Sequence, residues 1–205
     1  MHIHLYRVTH VISMDTNDST IIEEWDMISV PPPPPLQKIS VSPEDTALLI
    51  CDIQTQNCNE QRRPRCVETL SRLNQLLSMV RSHRMPVFYS ITSSADIEDI
   101  FEEVHPLPGE PVVKSGVDKF YRTDLEQLLR QKGVNTVIIT GTAAHGAVLH
   151  TGTSACLRGF QVIIPVDGLS AGEPYAEQYT VWHMANAPGT RKQALLTRMD
   201  WISVE

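Results

Sequence analysis

From residue 46 onward, short apolar runs alternate with amphipathic segments. Most of the runs lack polar alternation, which predicts strands covered on both faces, as in a parallel sheet. The amphipathic segments have apolar residues at helical spacing, with Gly133 and Gly159 as expected C-caps. The predicted strands span residues 46–52, 85–91, 110–114, 135–141, 160–167 and 193–198, and the predicted helices lie within 65–83, 122–133, 146–159 and 174–189.

This repeated order of strand, helix and strand predicts an α/β fold. The expected architecture is a three-layer α/β/α Rossmann-like sandwich with right-handed crossovers, built on a mainly parallel sheet of about six strands. We assign residues 46–205 to this domain.

Residues 1–45 form a predicted N-terminal arm, because no sustained helical or strand period appears in them. The arm contains five consecutive prolines, Pro31 to Pro35, which cannot join a helix or a central strand and predict a polyproline II segment. A spacer packed along the domain is the favoured role, and a PxxP ligand for SH3-like domains is the alternative. Met14 is an alternative start to Met1.

Composition and charge exclude several classes of protein. The 205 residues include 24 acidic and 17 basic side chains, a net charge of -7, which disfavours a nucleic-acid partner. No apolar stretch approaches the roughly 18 residues of a membrane span, so we expect no membrane association and a cytoplasmic location. The four cysteines form no CxxC pair, which argues against a zinc ribbon or a disulfide-dense scaffold.

Candidate chemistry lies where the predicted strands end, because ligands of open parallel sheets bind beyond the carboxyl ends of the strands. Asp52 follows the first strand, Ser90 to Ser93 the second, Lys114 the third, and Asp167 the fifth. An aspartate and a lysine that pair in such a crevice form either an acid/base couple or a structural ion pair.

After the fourth strand, the segment GTAAHGAVLHTG places small residues at a predicted helix start. Backbone N–H groups at such a turn suit a carboxylate or an oxyanion, although a tight turn that merely needs small residues has the same sequence. The segment contains neither GxGxxG nor GxxxxGK[ST], so no nucleotide cofactor is indicated.

These blocks together resemble the isochorismatase-like hydrolases, a family that includes nicotinamidases and other cysteine amidohydrolases. The resemblance covers about residues 20–203 and rests on LLICDIQ, VVKSGVDKFYRTDLEQLL and IITGTAAHGAVLHTGTSACLRGFQVIIPVDGLSA. It implies that Asp52 and Lys114 are two members of a catalytic triad and that Ala147 occupies the position of the nucleophilic Cys. An alanine has no nucleophile, so the chain resembles the branch of the family that lacks this Cys.

Two comparisons with the family narrow the expected chemistry. Metal-dependent members carry an Asp-x-His motif. Residues 90–114 contain a single histidine, His105, and no such motif, so no metal and no other cofactor is expected. Gly116 and Val117 stand where isochorismatases tend to have an Arg and an aromatic residue. In the family these two residues help to hold the carboxylates of the substrate. Lys119, Arg122 or the backbone donors of residues 143–147 are candidates to replace those contacts.

The resemblance therefore implies a hydrolase for a small, anionic or carbonyl-containing substrate. Asp52 is expected to act as general acid and base without a covalent Cys intermediate, with Lys114 orienting it and tuning its pKa. The alternatives are a catalytically inactive binding protein with this fold and, less favoured, an amidase that uses another thiol. Family members commonly form dimers or tetramers, so a homo-oligomer is expected. The expected substrate-binding residues are Gln54, Gln56, Phe120, Tyr121, Ala143, Ala144, His145 and Gly146.

Cys58 and Cys66 flank a polar loop after the first strand. Packing of two thiols is the favoured interpretation, and a disulfide or a role in lining the substrate pocket remains open. By position, none of the four cysteines substitutes for the missing nucleophile.

Overall fold

The computed structural model describes residues 19–205, and these fall into two units that divide at Pro33 and Pro34. Residues 1–18 of the predicted arm, with the alternative start Met14, lie outside the described residues. In the first unit, residues 19–33 contain a single 3-10 turn, Trp25–Met27. The proline run belongs to neither a helix nor a strand, as predicted.

The second unit, residues 34–205, is built on a parallel sheet in the order β4-β3-β2-β5-β6-β8, with β7 paired to β5. The six predicted strands are all present, with ends shifted by one or two residues. The nine strands of residues 19–205 are β1 (Ile39–Val41), β2 (Thr46–Cys51), β3 (Val87–Ile91), β4 (Val112–Lys114), β5 (Thr136–Thr142), β6 (Gln161–Pro165), β7 (Leu169–Ser170), β8 (Ala194–Thr197) and β9 (Ile202–Val204).

Helices cover both faces of the sheet, as the unbroken apolar strands predict. Successive residues of β2 alternate between two cores: Leu49 packs in one cluster with residues of α2, α3 and α4, and Leu48 packs in the other with residues of α1. The helices are α1 (Pro64–Ser82), α2 (Leu125–Gln131), α3 (Leu149–Leu157) and α4 (Pro174–Asn186), and a π-helical turn, Ala144–Val148, leads into α3. Within residues 19–205, no helix combines the length and hydropathy needed to cross a bilayer.

A second, two-stranded parallel sheet pairs β1 with β9 and was not predicted. Its strands have three residues each and a polar residue at the centre, Ser40 or Ser203, so no apolar run marks them. Because β1 pairs with the end of the chain, the predicted boundary between residues 45 and 46 lies inside the second unit.

Cys58 and Cys66 form a disulfide, the alternative that was not favoured from the sequence. Both residues are fully buried, and their bond joins the loop after β2 to the first turn of α1. Disulfides are more common in oxidising compartments, so this bond does not favour the expected cytoplasmic location.

The disulfide closes a short loop, with a sequence separation of eight residues. We expect a reducing agent to lower the free energy of unfolding by about 2–3 kcal/mol, because the unfolded chain regains the entropy of the open loop. Urea unfolding with and without dithiothreitol measures this difference. The double variant Cys58→Ala/Cys66→Ala should not respond to the reductant, and an unchanged wild-type stability would contradict the assignment.

Candidate functional site

Asp52 lies at the carboxyl end of β2, in the middle of the sheet. Its φ of 54° turns the chain out of the strand, and its backbone N–H still donates to the Ser90 carbonyl at 3.0 Å. The residue is only 4% exposed. Its Oδ1 accepts a hydrogen bond from Ser90 Oγ at 3.0 Å, and its Oδ2 accepts one from Lys119 Nζ at 2.7 Å.

Lys119 is completely buried, and its ammonium group bonds two oxygens. Nζ donates to Asp52 Oδ2 and, at 2.6 Å, to the carbonyl of Gly116. The Lys119 backbone N–H donates to Thr151 Oγ1 of α3 at 3.1 Å, which fixes the loop after β4 against that helix. Two opposite charges that are buried away from water are tolerated in a protein when they pair and are both hydrogen-bonded, as here.

The prediction that Lys114 partners Asp52 is therefore wrong. Lys114 ends β4, and β3 lies between that strand and β2, so the two backbones are roughly 10 Å apart. The Lys114 side chain is 47% exposed and pairs with the exposed Asp96 at 3.1 Å. The loop that follows β4 brings Lys119, five positions later, to the carboxylate instead.

Burial dominates the electrostatics of Asp52. Removal from water raises the pKa of the Asp52 carboxyl, and the charge and hydrogen bond of Lys119 and the hydrogen bond from Ser90 oppose this effect only in part. The pKa therefore lies above the ordinary value for an aspartate. Such a carboxyl holds its proton at a higher pH than an exposed one, which is a property of general acids.

The end of β5 lies so close to the end of β2 that no side chain fits between the two backbones. Gly141 pairs with Cys51 and has a φ of +121°, and a Cβ on this residue would lie 2.0 Å from the Cys51 carbonyl oxygen. Only glycine fits there. A cis peptide bond joins Thr142 to Ala143, and the π-helical turn follows, with its fourth residue, Ala147, buried.

The two free cysteines of the described residues are Cys51 and Cys156, and both are buried. Burial raises the pKa of the Cys51 thiol to about 12, and the neighbouring Asp52 charge adds to the shift. Burial likewise raises the pKa of Cys156 to about 11. At neutral pH both are thiols, so neither has the properties of a nucleophile.

The predicted substrate-binding residues differ in how deeply they are buried. Gln54 is fully buried and donates to Thr92 Oγ1 at 2.6 Å, and its Oε1 receives no hydrogen bond from any residue between 19 and 205. Gln56 is exposed and its side chain bonds Asp99. In the turn after β5, Ala144 is buried, Ala143 and Gly146 are half-buried, and His145 is exposed.

Phe120 and Tyr121, two further predicted substrate-binding residues, lie in different surroundings. The Phe120 ring lies in the core, 5.9 Å from the ring of Phe160. Tyr121 is 61% exposed, with the Arg122 guanidinium over its ring. Both residues follow the buried Lys119, and their positions depend on how this loop folds rather than on the apolar pattern.

The structure adds Ser90, Lys119 and Arg63 to the surroundings of Asp52. Ser90 was among the strand-end residues singled out by the sequence. Lys119 was considered only as a substitute for a missing substrate contact. Arg63 lies inside the polar loop between Cys58 and Cys66, and no sequence signal distinguishes it from its neighbour Arg62.

A family model for the isochorismatase domain matches residues 46–194, and the chain belongs to this family. It is 26% identical over 155 residues to the secreted isochorismatase effector Isc1 of Verticillium dahliae, covering 70% of this chain and 78% of that protein. It is also 26% identical over 157 residues to enterobactin synthase component B of Escherichia coli, covering 62% of this chain and 53% of that protein. The chain thus spans about half the length of the second relative.

Comparison with solved structures supports the same fold. The N-carbamoylsarcosine amidase from Thermoplasma acidophilum aligns with a TM-score of 0.66 and 22% sequence identity, over 76% of this chain and 97% of that chain. This likeness confirms the predicted parallel α/β architecture.

Replacement of Lys119 by Met tests which lysine pairs with Asp52. We expect Lys119→Met to lower the free energy of unfolding by about 3–5 kcal/mol at pH 8, because Asp52 would remain buried without a counterion. Lys114→Met, the matched control, should cost less than about 1 kcal/mol, as for other exposed pairs.

The pH dependence of this loss provides a second check. Without Lys119 the folded-state pKa of Asp52 rises further, so stability is retained at low pH and lost as pH rises. Urea unfolding at pH 5 and pH 8 should therefore show a smaller deficit at pH 5. Equal losses for the two lysine variants would contradict the assignment.

Proposed function

We propose that the protein is a hydrolase that uses Asp52 as a general acid and base and forms no covalent Cys intermediate. The observation that carries this proposal is the buried pair of Asp52 and Lys119 at the carboxyl edge of the sheet, in which burial raises the pKa of the carboxyl. Membership of the isochorismatase family, whose named relatives include an isochorismatase effector and an amidase, supports hydrolysis of a small molecule.

A vinyl ether is the substrate class that suits a protonated aspartate. Asp52 transfers its proton to the terminal enol carbon, and the ether oxygen donates electrons to leave an oxocarbenium ion. Water adds to that cation and returns a proton to Asp52, and the hemiketal then separates into a carbonyl compound and an alcohol. Each step moves one proton, so neither a metal nor a thiol is needed for the atoms and charges to balance.

Lys119 acts in this proposal as a positioning residue. Its two hydrogen bonds, to Asp52 and to the Gly116 carbonyl, hold one carboxylate oxygen in place, and Ser90 holds the other. Its positive charge stabilises the carboxylate that remains after proton transfer. Gln54, whose buried Oε1 has no donor within residues 19–205, is available to accept a hydrogen bond from a substrate hydroxyl or amide.

The turn after β5 supplies the second part of the site. Backbone N–H groups at the start of a helix stabilise an anionic or carbonyl oxygen, and residues 143–147 lie beside the end of β2 through the contact of Gly141 with Cys51. Ala147 offers only a methyl group, which supports a chemistry without covalent catalysis.

The same alanine favours the second candidate, a binding protein with no activity. Such a protein would keep the buried pair of Asp52 and Lys119 as a structural feature. The homo-oligomer, the cytoplasmic location and the absence of a metal or other cofactor also remain proposals.

Replacement of Asp52 by Asn distinguishes the two candidates. We expect Asp52→Asn to lower turnover of isochorismate, or of another vinyl ether or amide found by screening, by at least a thousandfold. The reason is that the Asn side chain cannot deliver a proton. Asp96→Asn, at an exposed carboxyl, is the matched control and should retain full activity. Circular dichroism and urea unfolding check that both variants fold. Undiminished turnover in Asp52→Asn, or no turnover by the wild type, would sink the hydrolase proposal.

A further inference from the structure

The loop between β2 and α1 lies at the same edge of the sheet as Asp52. Its first residues attach to the segment that follows β3: Gln54 forms an isolated antiparallel bridge with Ile100, and the Thr55 N–H donates to the Asp99 carbonyl at 2.9 Å. This end of the loop is therefore fixed directly after Asp52.

The other end of the loop is fixed next to α4. The disulfide joins Cys58 to Cys66 in the first turn of α1. Arg65 pairs with Glu177 of α4 at 2.8 Å, and Glu177 also accepts a hydrogen bond from the Ala171 N–H. These bonds hold Arg63, which lies between the two cysteines, at a defined position.

One side-chain donor of Arg63 has no acceptor among the residues that the structure describes. Its Nη1 donates to the Asn57 carbonyl at 2.9 Å, while its Nε is buried and bonds no acceptor in residues 19–205. The residue is close enough to Asp52 for the two charges to affect each other. A buried guanidinium nitrogen without an acceptor is costly unless a ligand supplies one.

The balance of charge around Asp52 favours an anion as that ligand. Asp52 and Lys119 neutralise each other, so Arg63 leaves the surroundings of this pair with a positive charge. The adjacent Arg62 is exposed and donates to the Gln56 carbonyl at 3.3 Å. A guanidinium fork matches a carboxylate, which accepts two parallel hydrogen bonds.

We infer that Arg63 binds a carboxylate of the substrate beside Asp52 and thereby selects anionic substrates. This inference rests on the proposed function for the location of the reacting group. The contact with a substrate carboxylate, which Gly116 and Val117 cannot make, would then come from the loop after β2.

The experiment measures binding separately from turnover. The probes are 3-(1-carboxyethoxy)benzoate, a stable dicarboxylate with a saturated ether that cannot be hydrolysed as a vinyl ether, and its uncharged dimethyl ester. Isothermal titration calorimetry gives Kd for the wild type, Arg63→Ala and Arg62→Ala. We expect Arg63→Ala to weaken binding of the dianion at least tenfold and to leave the affinity for the ester within twofold. Arg62→Ala, the matched control one residue earlier, should bind both probes within about twofold of the wild type.

Each other outcome overturns the inference. Equal binding of the dianion by Arg63→Ala and the wild type would exclude the contact, and a wild type that does not bind the dianion at millimolar concentration would exclude the site. Equal weakening of both probes would show that the substitution disturbs the structure around Arg63 rather than the recognition of charge. Urea unfolding of the three proteins identifies such an effect.

Failure of this inference can be told apart from failure of the proposed function. If binding of the dianion depends on Arg63 but no substrate is turned over, the inference stands and the hydrolase proposal falls. If turnover depends on Asp52 while an anionic substrate has the same KM with Arg63→Ala, the hydrolase proposal stands and the inference falls.

Discussion

Removing a carboxylate and an ammonium group from water costs several kcal/mol for each ion, and only their mutual contact and further hydrogen bonds offset that cost. Asp52 and Lys119 meet this requirement. The Asp52 carboxylate accepts hydrogen bonds from Ser90 and Lys119, and the Lys119 ammonium group donates to Asp52 and to the Gly116 carbonyl. The surrounding loops must hold these partners in register, and this constraint connects the fold to the chemistry of the site.

The fold meets the constraint through the position of β2 and the path of the loop after β4. β2 lies between β3 and β5, so Ser90 comes from one neighbouring strand and the turn at Gly141 from the other. The loop after β4 returns from the edge of the sheet and is fixed to α3 by the bond between Lys119 and Thr151. Chain segments that are distant in sequence thus converge on one carboxyl group.

Much of the fold could be predicted from the sequence, because unbroken apolar runs mark buried parallel strands and each run ends at the edge where the site forms. Asp52 was found in this way, since it directly follows such a run. β1 and β9 were missed because three residues around a central serine give no periodic signal. Lys119 was not recognised as the partner of Asp52 because Lys114 matches the family pattern, and only the order of the strands shows that Lys114 lies at the far edge. The spacing of Cys58 and Cys66 is compatible with both a disulfide and two packed thiols, so the sequence alone does not predict which one forms.

The chemistry of the site depends on Asp52, a buried carboxyl whose pKa is raised by burial and held back by Lys119. The most direct measurement is the titration of its side-chain carbonyl carbon by NMR, with the resonance assigned from the Asp52→Asn spectrum. The account predicts a midpoint above the value of about 3.9 that is ordinary for aspartate, and a still higher midpoint in Lys119→Met. A midpoint at or below the ordinary value, or one that does not change when Lys119 is replaced, would contradict it.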